Sequence, residues 1–128
     1  MEKFLKEGTN HTPKVIFDPE KSSFKIAGRS IPENSNEFYK PIITYLEQYV
    51  EDPNEETEFT FKLEYFNTSS SKCILDILCT LEKVIEKGKQ IKVSWYYHEA
   101  DEDMLEAGRD FEDLIDFDME YISYDEYY

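Results

Sequence analysis

A strand, a helix and a second strand follow one another in the middle of the chain, and this succession most constrains the fold. Apolar and polar residues alternate from Phe59 to Phe66 with the period of two that is typical of a β-strand. Apolar residues then recur at helical spacing from Ile74 to Ile85, and Lys87 and Gly88 follow as helix-ending residues. A second alternation covers residues 91–97. Since strands joined by a helical crossover are usually parallel neighbours, this region predicts a βαβ unit.

Further elements are predicted on both sides of this unit. Short apolar stretches at Lys14–Asp18 and Ser23–Ala27 flank a segment rich in turn-forming residues, which indicates a β-hairpin. A loop over residues 28–34 follows it. After the βαβ unit, we expect an acidic and partly helical segment over residues 101–115 and a last short strand over residues 119–124.

An amphipathic helix is predicted within residues 35–50, because apolar residues recur there at spacings of three and four. Because of Pro41, the first residue of this helix is not determined by the pattern. The proline either lies in the first turn of a helix that begins near Lys40, or kinks a helix that begins at Ser35.

Together these elements predict a single α/β domain over residues 1–128. Its mixed β-sheet has about five strands, and its two main helices pack on one face. A chain of this length can bury a substantial core, and 40% of its residues are hydrophobic. Intrinsic disorder is therefore excluded despite the high charge.

The acidic composition limits the classes of partner that the protein is expected to bind. Twenty-nine Asp and Glu residues against fourteen Lys and Arg residues give a net charge of -15, which argues against direct binding to nucleic acid or to an anionic membrane. Residues 99–128 contain thirteen of the acidic residues and one basic residue, Arg109, and so contribute -12. This segment is either a solubilising surface or a docking surface for a basic partner.

The N-terminus is charged where a signal peptide would be apolar, and no apolar run reaches the length of a membrane span. We therefore expect a soluble, cytoplasmic protein. Cys73 and Cys79 lie six residues apart in one predicted helix and point away from each other. They are predicted to be free, half-buried thiols.

An enzymatic function is not indicated. Residues 101–103 begin like a calcium-binding loop, but Glu106 stands where the loop needs a glycine. The sequence has neither a glycine-rich phosphate loop nor a zinc-type cluster, and only two histidines. We expect no catalytic residue, no cofactor and no metal site; an acidic metal-dependent enzyme is a distant alternative.

A polar run between the central strand and helix is the strongest candidate site. It consists of Asn67, Thr68, Ser69, Ser70, Ser71 and Lys72. One such side chain would suffice to cap the helix that follows. The alternative is a phosphoacceptor, since a phosphate here would lie at the positive end of the helix dipole, with Lys72 as a possible counter-charge.

Three blocks of the sequence resemble the SiaC family of bacterial regulatory phosphoproteins. They are Gly28–Ser35, Leu63–Ser70, and Val93–Tyr97 followed by residues 101–104. The blocks occur in order, and the resemblance extends over roughly residues 8–120. It implies a partner switch related in style, and loosely in fold, to the STAS-like anti-sigma-factor antagonists.

The resemblance also implies a circuit. The threonine of the Asn-Thr-Ser-Ser block is the phosphoacceptor in that family, which corresponds to Thr68 here, with Ser69, Ser70 and Ser71 as alternatives. A kinase of the histidine-kinase-like ATPase type modifies it, and a metal-dependent serine/threonine phosphatase reverses the change. The unphosphorylated form binds and activates a diguanylate cyclase, which raises cyclic di-GMP and favours biofilm formation. The downstream target is the least transferable part.

Residues around the phosphoacceptor are candidate partner contacts. Asn67 and Lys72 flank the hydroxyl run. The loop over residues 28–34 also precedes a helix, so Arg29, Glu33 and Asn34 are further candidates; the alternative is that this loop only organises the helix entry. An acidic module that masks a basic surface without phosphorylation is the competing function. A phosphate on Thr68 would change the net charge only from -15 to about -17, so a switch must depend on where the charge appears.

Overall fold

The central βαβ unit lies in the middle of a six-stranded sheet. The structure, a computed structural model, describes residues 1–126. The strands in this range are β1 (Phe4–Lys6), β2 (Lys14–Asp18), β3 (Ser23–Ser30), β4 (Glu56–Phe66), β5 (Gln90–His98) and β6 (Glu120–Tyr124). The α-helices are α1 (Ser35–Tyr49), α2 (Thr68–Glu86) and α3 (Glu102–Glu112).

The sheet is mixed, as predicted. Its strands follow the order of the sequence from β1 to β6. The first three strands pair antiparallel, whereas β3, β4, β5 and β6 run parallel to one another. The half of the sheet from β3 to β6 is therefore a series of strand–helix–strand units, and the carboxyl ends of its strands share one edge.

The predicted number of about five strands is one too low, because β1 has only three residues and no alternation that marks it in the sequence. Tertiary contacts hold this strand. The Phe4 ring packs 5.7 Å from Phe17 and 5.3 Å from Tyr45 between centroids. The Tyr45 hydroxyl also donates a hydrogen bond to the carbonyl of Glu2.

The core lies between the sheet and the helices. The buried aromatic side chains that line the helix-facing side of the sheet are Phe17, Phe24, Phe59, Phe61 and Trp95. Helices α1 and α2 cover them with buried aliphatic residues, among them Ile42, Leu46, Ile74, Ile77 and Leu81. Helix α3 packs on the same face, where Phe111 contacts the Trp95 ring. The prediction of two main helices on one face is confirmed, and the segment predicted to be partly helical over residues 101–115 contains α3 on the same face.

The end of β4 departs from the predicted alternation. Leu63 pairs with Gly28, but Tyr65 pairs with Arg29, so Glu64 is an extra residue in the ladder. Tyr65 is consequently 53% exposed instead of lying on the face of Leu63. Phe66 instead packs against the core as a partly buried side chain, and its ring contacts Trp95 and Phe111.

The predicted loop over residues 28–34 is shorter in the structure, since Gly28–Ser30 extend β3. Gly28 allows the extension because its φ of 110° is a conformation that favours glycine, and the register shift follows it directly. Helix α1 begins at Ser35, so the alternative start near Lys40 is wrong and Pro41 lies inside the helix.

The two cysteines are free thiols, as predicted, but neither is half-buried. Cys73 is buried and Cys79 is exposed, because their spacing of six places them on different sides of α2. Burial, with the nearby Asp76 carboxylate, raises the pKa of the Cys73 thiol. Within residues 1–126, no helix combines the length and the apolar character that a bilayer span requires.

Candidate functional site

Three helices begin at the edge where the parallel strands end. Helices α1, α2 and α3 follow β3, β4 and β5, respectively. Each first turn is capped by the residue before it: Asn34 accepts from Glu37 N at 3.1 Å, Asn67 from Ser70 N at 2.9 Å, and Asp101 from Met104 N at 3.0 Å. The edge therefore collects the positive ends of three helix dipoles.

Thr68 is the first residue of α2 and is exposed at this edge. Its hydroxyl makes no hydrogen bond to any residue in the range 1–126. The capping role predicted for the polar run belongs to Asn67, whose side chain accepts from the backbone of Ser70. Thr68 is thus not needed as a cap for α2.

The three serines that follow Thr68 have engaged hydroxyls. Ser69 is exposed, but its Oγ lies 2.7 Å from Ser35 Oγ and donates to Asn67 Oδ1 at 3.2 Å. Ser70 is fully buried and donates to the Ser30 carbonyl at 3.1 Å. Ser71 Oγ donates to the Thr68 carbonyl at 2.5 Å.

A buried hydroxyl cluster lies beneath these serines and joins β3, α1 and α2. Ser30 Oγ donates to Ser70 Oγ at 2.9 Å and lies 2.6 Å from the Tyr39 hydroxyl. Ser35 Oγ lies 3.3 Å from Ser70 Oγ. The sequence prediction did not include Ser30, Ser35 or Tyr39 as site residues. The only signal was that Ser30 and Ser35 belong to the Gly28–Ser35 block, since no spacing connects them to residue 70.

Tyr39 makes stability depend on pH in the alkaline range. Burial raises its pKa from 10 to about 12. Above pH 10 the unfolded chain loses a proton that the folded chain keeps, so the free energy of unfolding should fall between pH 10 and 12. Urea unfolding at several alkaline pH values measures this, and Tyr39→Phe should fall less steeply because Phe does not ionise. Equal slopes for the two proteins would contradict the prediction.

The other predicted contact residues lie on different elements around this edge of the sheet. Asn34 caps α1 and Glu33 is exposed just before it. The first turns of α1 and α2 touch through Ser35 and Ser69, so the two helix entries do lie together. Arg29 is exposed in β3, opposite Tyr65 of β4. Lys72 lies on α2 and forms no ion pair with a carboxylate among residues 1–126.

The acidic segment is partly structural. Asp101, which begins the calcium-like sequence, is the cap of α3. Glu112 accepts from the Tyr121 hydroxyl at 2.9 Å and from Met119 N at 2.5 Å, which ties α3 to β6. No group of three or more His, Cys, Asp or Glu side chains suited to a metal ion occurs in the part of the chain that the structure describes.

Two solved structures are similar to this chain over nearly its whole length. SiaC of Pseudomonas aeruginosa superposes with a TM-score of 0.87 at 28% identity, over 97% of this chain and 100% of that chain. A chain in the crystal structure of diguanylate cyclase SiaD in complex with its activator SiaC, from Pseudomonas aeruginosa, superposes with a TM-score of 0.87 at 29% identity. That match covers 94% of this chain and 99% of the other.

The sequence comparisons agree with the structures. An uncharacterized protein of Pseudomonas aeruginosa (strain UCBPP-PA14) is 31% identical over 119 residues, which cover 93% of this chain and 94% of that protein. The family model for the SiaC family regulatory phosphoprotein matches residues 6–124. The resemblance seen in the three sequence blocks is therefore confirmed: the chain belongs to the SiaC family of regulatory phosphoproteins.

Proposed function

We propose that this chain is a cytoplasmic protein-interaction switch without catalytic activity, controlled by phosphorylation of Thr68. The observation that carries the proposal is the state of the four consecutive hydroxyls at the start of α2. Thr68 alone among them is both exposed and without a hydrogen bond to the residues described, whereas Ser69 and Ser71 are engaged and Ser70 is buried.

The position of Thr68 suits a reversible modification. A phosphate on the first helical residue would lie at the positive end of the α2 dipole, near backbone N–H groups that have no helical acceptor. Lys72 follows one turn later, on the same side of the helix. The fold should therefore tolerate the phosphate, while a partner that packs on this edge meets about two added negative charges and three acceptor oxygens.

The unphosphorylated form is the one we propose to be active. It binds and activates a diguanylate cyclase, as SiaC is the activator of SiaD in the related complex. A dedicated serine/threonine kinase of the histidine-kinase-like ATPase type adds the phosphate, and a metal-dependent phosphatase removes it. Arg29, Glu33, Asn34, Asn67 and Lys72 are the proposed partner contacts, since they surround the edge at which Thr68 lies.

Mapping the phosphate tests this proposal. The chain is purified from cells that contain its own kinase, and its intact mass and phosphopeptides are measured. We expect one phosphate, on Thr68, and none on the Thr68→Ala variant. A chain that carries no phosphate on Thr68 but binds a basic partner in a salt-sensitive way would instead support the acidic masking module.

A further inference from the structure

Ser69 differs from Thr68 in one respect that bears on phosphorylation. Both residues are exposed in the first turn of α2. The Thr68 hydroxyl has no hydrogen-bond partner among residues 1–126, whereas Ser69 Oγ lies 2.7 Å from Ser35 Oγ and also donates to Asn67. Thr68 and Ser69 are thus exposed side by side, but only the Ser69 hydroxyl is engaged in hydrogen bonds within the described residues.

Ser35 is well placed to hold it. The residue is 4% exposed and lies in the first turn of α1, directly after the cap Asn34. Its carbonyl accepts from Cys73 Sγ at 3.8 Å, so α2 contacts Ser35 through a second residue. The Ser35 side chain is also buried and lies 3.3 Å from Ser70 Oγ, so it faces the interior between α1 and α2.

We propose that Ser35 determines the specificity of phosphorylation at this edge, because its hydrogen bond withholds the Ser69 hydroxyl and leaves Thr68 as the acceptor. This inference rests on the proposed function. In the transfer, the acceptor oxygen attacks the γ-phosphorus of ATP and a new O–P bond forms. The bond from the γ-phosphorus to the bridging oxygen breaks, ADP leaves with its electron pair, and the hydroxyl proton passes to a base on the kinase. Ser69 would have to give up its bond to Ser35 before it could react in this way.

Removing the Ser35 hydroxyl should make the Ser69 hydroxyl easier to phosphorylate, because only its longer hydrogen bond, to Asn67, then remains. In a Thr68→Ala background, we expect Ser35→Ala to raise the rate of Ser69 phosphorylation by about tenfold, the ratio that the net loss of one hydrogen bond allows. Ser35→Cys serves as a second variant, since a thiol fills the volume but is a weak hydrogen-bonding group. The kinase is the one that modifies the wild-type chain, and the phosphate is located by peptide mapping.

A matched control removes a different hydroxyl from the same cluster. Ser30 bonds to Ser70 and lies beside Tyr39, but it makes no hydrogen bond to Ser69. Ser30→Ala in the Thr68→Ala background should therefore lose stability as Ser35→Ala does, without gaining phosphate on Ser69. Thermal unfolding of each variant verifies that it is folded at the assay temperature.

The outcomes separate this inference from the function on which it rests. Ser69 phosphorylation that is about tenfold faster in both Ser35 variants than in Thr68→Ala alone or with Ser30→Ala supports it. If the wild-type chain is phosphorylated on Thr68 but neither Ser35 variant gains phosphate on Ser69, the role of Ser35 is overturned. The proposed function then still stands. If Ser69 is phosphorylated as fast in Thr68→Ala alone as in the two Ser35 variants, the role of Ser35 is also overturned. A wild-type chain that the kinase does not modify on Thr68 overturns both.

Discussion

Thr68→Asp is expected to bind the partner cyclase at least about tenfold more weakly than wild-type chain, whereas Thr68→Ala should bind within about twofold of it. The carboxylate adds a fixed negative charge to the exposed start of α2, where the partner is proposed to pack. Alanine removes only a hydroxyl that bonds to none of the described residues. Affinity is measured by isothermal titration calorimetry, and activation by cyclic di-GMP production.

The fold itself should not account for this difference. An acidic residue in the first turn favours a helix, so Thr68→Asp should unfold at the wild-type temperature or slightly above it. Thr44→Asp is the matched control, because Thr44 is an exposed threonine inside α1, more than two turns from the start of that helix. The same charge there should leave cyclase binding unchanged. Equal affinities of Thr68→Asp and Thr68→Ala would refute the switch.

Gly108→Ala is expected to lower the free energy of unfolding by about 2–3 kcal/mol, although alanine is the better helix former by about 1 kcal/mol. Gly108 is buried in α3 against the sheet. A Cβ atom there would lie 2.7 Å from Cδ1 and Nε1 of Trp95 and 2.9 Å from a ring carbon of Tyr121. Neither ring can move freely, because Trp95 Nε1 donates to the Met104 carbonyl at 2.9 Å and the Tyr121 hydroxyl donates to Glu112.

Gly88→Ala separates this steric effect from the general effect of replacing glycine. Gly88 has a φ of 79°, and a Cβ atom added to it would meet nothing within 4 Å, so alanine there should cost only about 1 kcal/mol of backbone strain. Urea unfolding of the two variants measures both values. A Gly108→Ala protein as stable as wild-type chain would show that α3 shifts away from Trp95 without cost.

The regular elements could be predicted because their signals are local. The alternation in β4 and β5 and the helical spacing in α2 arise from residues close in sequence, and these elements occur where they were expected. The position of Tyr65 could not be predicted in this way. The face of the sheet on which the Tyr65 side chain lies is set by the register shift against Gly28 and Arg29, which belong to another strand.

For the candidate site, too, some features follow from residues close in sequence and others only from contacts between distant elements. The run of hydroxyl residues before α2 is visible in the sequence, as is the block similarity that indicates Thr68. The sequence could not distinguish Thr68 from Ser69, Ser70 and Ser71 by chemistry, since all four are hydroxyl residues that lie in one turn. Burial separates Ser70 from the others, and burial depends on how α2 packs against β3.

The sequence by itself therefore determined the α/β class, the family and the turn that carries the candidate phosphoacceptor. All three follow from patterns among neighbouring residues or from short blocks read in order. Only the tertiary structure decided which hydroxyl in that turn is left free. The physical reason is that the shorter of the two hydrogen bonds of Ser69 Oγ is made with Ser35, thirty-four residues earlier in the chain, and the packing of α1 beside α2 brings the two together.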